Sequence, residues 1–338
     1  MSQKRVAYFD LLNIFAALSV VFLHANGAVH TFSNTLAWKQ ALGIEVICYW
    51  AVPVFFMLSG ANLMNYRQRY STALFFKKRL IKIIIPFIVW TLFYAVLFRV
   101  NPFKTGLRDF FSRCFNTGIL STFWFFIPLL AIYLAMPILS LLKDNRRILW
   151  YMFGVSFCLI SLLPSLFTYL GLTWNYALAP IMSSGYLIYA ILGYLLASAD
   201  VSKKKRIAIY ILAVFSLLLR YFATLLLSQR DGTLNRLFFD YLQYHTVFLA
   251  AGVFLLFKHS KVIDRLSKND RFIRIIKTLS GLSFGVYLIH QAVIIFLQRF
   301  INPTTFTWRL TVPFLIYLIS VAIIFLLKKI PILKHIVP

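Results

Sequence analysis

The chain has 6 His and 9 acidic residues against 35 Lys and Arg, and a few of these ionisable side chains fall where an ionisable group is expensive to keep. His24 lies near the end of the apolar stretch 8–27, YFDLLNIFAALSVVFLHANG. About 20 apolar residues suffice to cross a ~30 Å hydrocarbon core, and an ionisable group inside such a run is read first as functional. Glu45, the only Glu in the chain, sits in the next apolar run. At 1.5 Å per residue, His24 lies about 25 Å from the inner end of its helix, and Glu45 about 22 Å from the inner end of its own near Gly60. Consecutive antiparallel helices would therefore bring the two together in the outer part of the membrane. A carboxylate beside an imidazole fixes its tautomer and raises its basicity, as a general base acting on a hydroxyl requires. The alternative is that each is solvated at headgroup level.

Further ionisable groups fall in the middle or outer half of later runs: Arg220, Asp240, His245, Tyr287 and His290. Tyr287 and His290 are three apart and share a helix face. Arg220 lies about 21 Å along its helix from Arg206, too deep to reach the inner surface easily, although it can reach outward. For His245, a site role and a buried imidazole bonded to a backbone carbonyl are equally open. At the opposite pole, FFKKRLIKIIIPFIVW at 75–90 places Lys78, Arg79 and Lys82 on roughly one turn, close to Ser59 and Gly60. Such a cluster binds a phosphorylated ligand by charge-assisted hydrogen bonds, or anchors the chain to anionic lipid.

The elements that must carry these residues are membrane helices. The chain is 61% hydrophobic with a mean hydropathy of +0.81, whereas soluble domains are nearer half apolar with about a quarter of their residues charged. We expect an all-α integral membrane protein, one polytopic domain over 1–338 with no separate soluble domain. Ten apolar runs delimit the spans, at 7–27, 40–64, 80–100, 122–142, 148–170, 179–198, 207–228, 238–257, 278–299 and 309–327. With the N-terminus inside, 25 of the 35 Lys and Arg fall in inner segments, so the positive-inside rule predicts both termini cytoplasmic. Lys4 and Arg5 precede the first run with no small-residue cleavage site after it, which reads as an uncleaved first helix. The charge of +26 points to no nucleic acid, because the basic residues lie between apolar runs and not on one face of a soluble module. Cys48, Cys114 and Cys158 are odd in number and scattered, so neither a disulfide framework nor a metal site follows. The outer segment 101–121 reads as an amphipathic helix on the membrane surface or over an outer cavity.

Five stretches, taken together and in order, resemble the membrane acyltransferase-3 family. They are FDLLNIFAALSVVFLHANG at 9–27, VPVFFMLSGANLM at 52–64, KKRLIKIIIPFIVW at 77–90, FWFFIPLLAIYLAMPIL at 123–139 and LSGLSFGVYLIH at 279–290. The family's first helix carries a basic residue followed eleven positions later by His; here His24 matches and Asn13 stands at the basic position. Its inner-face pair of Arg three apart is matched by Arg79 and Lys82. Lys keeps the charge at 82 but loses the bidentate geometry of Arg. Ser280, Tyr287 and His290 resemble its penultimate-helix signature, a stretch that helix packing through Gly281 and Gly285 would equally explain.

The resemblance implies an O-acyltransferase of the cell membrane, of the bacterial plasma-membrane kind. It would move acetyl from cytoplasmic acetyl-CoA to a hydroxyl of an extracytoplasmic glycan or glycolipid, with no metal. On that reading Lys78, Arg79, Lys82 and Ser59 hold the donor, His24 is the base, Glu45 orients it, and Arg220 or Tyr287, beside His290, stabilises the oxyanion. A transporter or flippase for a glycan or lipid would also line its path with buried charges. A regulatory relative without catalysis is the third reading, prompted by Asn13.

Overall fold

The computed structural model describes residues 6–180, 183 and 185–337. Lys4 and Arg5, and residues 181, 182 and 184 of the expected sixth span, lie outside the described residues. The described chain is helical, with no strand, and nine helical segments in it are long and apolar enough to cross a membrane. The protein is an all-α integral membrane protein. We number its principal helices α1 (Ala7–Ala25), α2 (Leu36–Cys48), α3 (Ala51–Leu63), α4 (Thr72–Leu97), α5 (Leu107–Phe115), α6 (Phe126–Leu139), α7 (Arg146–Tyr169), α8 (Leu187–Ser198), α9 (Lys203–Asp231), α10 (Tyr244–Lys258), α11 (Asp270–Leu297) and α12 (Val312–Lys329).

Three spans differ from the sequence reading, each for a local reason. The second, expected unbroken over 40–64, is interrupted at Tyr49–Trp50 between α2 and α3. Pro53 lies four residues after Tyr49, and a proline ring clashes with the carbonyl one turn upstream, so the ladder breaks there. The fifth, α7, carries a π-helical turn at Phe157–Leu162, just before Pro164 removes a donor. The sixth is only twelve residues long, α8, or about 18 Å. It can be this short because it lies inside the bundle, with every residue from Ile188 to Leu196 buried. Its backbone meets that of α3 through Gly60 against Ala190 and Gly193 against Met57, where a Cβ on either glycine would overlap backbone atoms. Small residues that admit backbone contact are how helices associate where no hydrophobic drive separates protein from lipid.

Polar side chains face inward and apolar ones outward. On α9, Ser216, Arg220, Thr224 and Ser228 are buried at a four-residue spacing, while Ile211, Val214, Phe215, Leu218, Phe222 and Leu226 are exposed. Caps mark helix starts at polar loops: Ser71 Oγ accepts from Leu74 N, and Asn269 Oδ1 accepts from Arg271 N and Phe272 N. Within 101–121, α5 forms as expected, and its Leu107, Phe111 and Phe115 make an exposed apolar stripe at four-residue spacing. The elements that matter for the site are α1, α3, α4, α6 and α11. Of these, α1 packs on α11 and α3, and α4 on α6.

Candidate functional site

A continuous cavity of about 880 Å³ runs beside α1 from Val6 to His24, a helical distance of about 27 Å. At one end its lining holds Arg69, Arg79, Lys82 and Lys277; at the other it holds His24, Trp124, Tyr241 and Tyr287. The expected residues Ser59, Arg79, Lys82, His24 and Tyr287 all line it, although they come from four helices far apart in sequence.

At the His24 end the hydrogen bonds fix the protons. His290, fully buried on α11, has Nδ1 at 2.7 Å from the Tyr287 carbonyl and 3.2 Å from that of Val286. Carbonyls only accept, so His290 Nδ1 carries a proton and its neutral ring presents a lone pair at Nε2. His24 Nδ1 lies 2.7 Å from that Nε2 and must be the donor. The remaining nitrogen of His24, Nε2, is left as a bare acceptor on a half-buried ring that lines the cavity. A proton taken there is stabilised through the chain His24 Nδ1–H to His290 Nε2, with His290 itself anchored to the backbone.

This is a correction to the expected partner. Glu45 does not reach His24; its Oε2 accepts from Asn26 Nδ2 at 3.5 Å, and the same amide donates to the Ala41 carbonyl at 2.8 Å. The buried pair ties the end of α1 to α2 behind the cavity wall. Three of the other outer-half residues, Arg220, His245 and Asp240, also stand outside the cavity lining. Arg220 is 1% exposed, its guanidinium carbon 3.2 Å from the centre of the Tyr49 ring, and its Nη1 donates to Thr246 Oγ1 at 3.3 Å. Tyr49 stacks on Tyr241 at 4.2 Å, and Tyr241 on Trp124 at 5.5 Å, so Arg220 backs an aromatic column whose far members face the cavity. Tyr287 does face the cavity, but its hydroxyl donates to the Thr122 carbonyl at 2.6 Å. His245 bonds a side chain and not a backbone carbonyl, with Nε2 at 2.9 Å from Gln243 Oε1. Asp240, expected inside a span, lies in the turn before α10, where Oδ1 accepts from Leu242 N.

Midway along the cavity, Asn13 Nδ2 donates to Ser280 Oγ at 3.1 Å and to the Ser280 carbonyl at 2.9 Å. The amide clasps α1 to α11 where a cation would have placed a charge inside the cavity.

At the basic end, Arg79 is half-buried on α4 with its guanidinium 5.9 Å from the Tyr133 ring centre, and its buried Nε donates to no atom among the described residues. An unmet guanidinium N–H costs free energy, and an anionic oxygen would satisfy it. Lys82 is exposed beside it, and Ser59 Oγ, on the same wall, is turned back to the Phe55 carbonyl at 3.0 Å. Lys78 is not part of the lining; its Nζ sits 4.6 Å over the Tyr70 ring. Lys277, which sequence reading grouped only with the general basic surplus, does line the cavity. It precedes His290 by thirteen residues on α11, about 20 Å, and that spacing was the available signal. Trp124, Tyr241 and Tyr133 carry no signal of their own in the sequence, because aromatic residues are common throughout the chain, 18% of it.

Together these features define a polytopic membrane protein with one cavity lined by cations at one end and by the His24 imidazole at the other. The chain belongs to the acyltransferase-3 family, whose acyltransferase domain profile matches residues 6–328. It is a membrane acyltransferase. No curated protein and no solved structure gives a significant match.

Proposed function

We propose that the protein is an O-acyltransferase that moves an acyl group, acetyl in the simplest case, from acyl-CoA to a hydroxyl of a glycan or glycolipid. The donor enters at the basic, cytoplasmic end, both termini lie on that side, and the acceptor arrives from outside the cell membrane, of the bacterial plasma-membrane type. The observation that carries this reading is the continuity of one cavity from Arg79 and Lys82 to His24. A donor with phosphates at one end and a thin arm ending in a thioester suits such a shape. The unmet Arg79 Nε, with Lys82 and Lys277 nearby, supplies donors for those phosphates.

In the reaction the acceptor hydroxyl oxygen attacks the thioester carbonyl carbon. The C–O bond forms, the C–S bond breaks, and the hydroxyl proton passes to His24 Nε2 and on to the departing thiolate. His290 holds the His24 tautomer. Glu45 and Arg220 act from behind, Glu45 by fixing the junction of α1 and α2 and Arg220 by backing the Tyr49–Tyr241–Trp124 column. Tyr287 contributes its ring to the wall beside His24; to stabilise the oxyanion its hydroxyl would have to leave the Thr122 carbonyl. No acyl-enzyme is needed.

The test is transfer of labelled acetyl from acetyl-CoA by the purified protein in nanodiscs, offered a panel of glycans and glycolipids. Labelled acceptor, formed with release of CoA, is the expected product. Movement of a glycan or lipid across the bilayer with the thioester intact would instead identify a transporter.

A further inference from the structure

A second cavity, of about 540 Å³, opens between α11 and α12 and belongs to no part of the acyl-transfer path except at one residue. Its origin is a change in how closely the two helices approach. At Gly285 they touch so tightly that a Cβ would overlap the Ile324 side chain. One helical turn toward the basic end, at Gly281, nothing lies within 4 Å of the corresponding position, so the helices splay into a wedge. Arg274, Lys277 and Gly281 stand on one wall at a helical spacing of three to four residues; on the other stand Phe325 and, three and four residues on from it, Lys328 and Lys329. Lys328 Nζ crosses from α12 to the Gly281 carbonyl of α11 at 2.6 Å, which holds a part-exposed cation between the two walls. Lys329 Nζ lies 4.6 Å over the Phe325 ring. Among the described residues no carboxylate lines the wedge.

Four cations with no acid among them, set between two membrane helices, make a receptor for an anionic headgroup. The surroundings say which source supplies it. Phe325 and Leu326 are exposed on α12, continuous with exposed Leu318, Leu315 and Phe314 further along the helix, so an apolar strip leads out of the wedge along the lipid-facing surface. A soluble phosphate would use the cations and ignore the strip, whereas a phospholipid uses both. We propose that the α11–α12 wedge is a binding site for an anionic phospholipid, its phosphate among Arg274, Lys328 and Lys329 and one acyl chain along Phe325 and Leu326. Lys277 lines both cavities, so the variants that test the wedge leave it untouched.

The experiment is native mass spectrometry of the full-length protein, titrated separately with phosphatidylglycerol and phosphatidylcholine, for the wild type, R274Q/K329Q and the charge-keeping R274K/K329R. Retention of phosphatidylglycerol above phosphatidylcholine is expected. With each cation worth about fivefold near an anionic headgroup, R274Q/K329Q should lose on the order of 30-fold of that retention, and R274K/K329R should keep it. If the double Gln variant does not fold, R274Q alone, with about a fivefold loss expected, carries the same test. Equal retention of both lipids by the wild type, or an unchanged preference in R274Q/K329Q, would overturn the site. So would displacement of the bound lipid by adenosine 3′,5′-bisphosphate, which would assign the wedge to a soluble phosphate.

Discussion

The two ends of the main cavity are built on opposite principles. At the His24 end almost everything is neutral, buried and hydrogen-bonded in one way: Tyr287 carbonyl, His290, His24. At the other end the side chains are charged and part-exposed, and one buried N–H, Arg79 Nε, has no partner among the described residues. The first arrangement sets geometry and leaves one lone pair to act. The second sets a field and leaves contacts open for something that brings its own oxygens. A substitution at the His24 end should therefore be felt in turnover, and one at the basic end in affinity.

Substitutions that cross this division put it at risk. The largest effect is expected from His24→Ala, a fall in kcat of roughly 10²–10⁴-fold, as for loss of a positioned general base. His290→Phe keeps a buried ring but removes the acceptor that fixes the His24 tautomer. A fall of about 10²-fold in kcat with little change in donor KM is expected, below the ~10⁴ of a mis-set catalytic triad because a neutral imidazole holds its partner less strongly than a carboxylate. A drop in thermal stability with unchanged kcat would reduce His290 to packing. At the basic end, Arg79→Ala with Lys82→Ala should weaken donor binding about 30-fold, mostly through the half-buried arginine, since exposed cations contribute little. Titration of acetyl-CoA by calorimetry reads this directly, and the loss should shrink as salt is raised. The smallest effect is expected from Lys82→Arg, which restores a bidentate donor and should tighten donor binding by about threefold. Weaker binding there would mean that the site prefers a point charge.

Much of the fold was legible in the sequence because bilayer thickness fixes what a span must look like, and runs such as 309–327 meet that requirement in isolation. What escaped depended on neighbours. The shortness of α8 reflects its enclosure by the rest of the bundle, and the break at Tyr49–Trp50 follows from Pro53 one turn on, a local signal hidden inside a continuous apolar run. The site divides in the same way. Arg79, Lys82 and Ser59 share one cavity wall, as their closeness in the chain anticipated. His24 and His290 are 266 positions apart. Both fall in the middle or outer half of their runs, but depth cannot say which helix lies beside α1, and the consecutive helix pointed to Glu45. The packing of α11 on α1 supplied the other imidazole. Asn13 was visible from the start as a departure from the family's pattern, and its role as a clasp on Ser280 required the same pair of helices.

The most direct test of a cavity with a binding end and a reacting end is a paired measurement on His24→Ala: the acetyl-CoA binding isotherm and the rate of acetyl transfer to the best acceptor, on the same preparation. Donor affinity within about twofold of wild type and transfer reduced at least 100-fold are expected. Transfer at the wild-type rate would contradict the role of His24, because no other imidazole lines the cavity among the described residues.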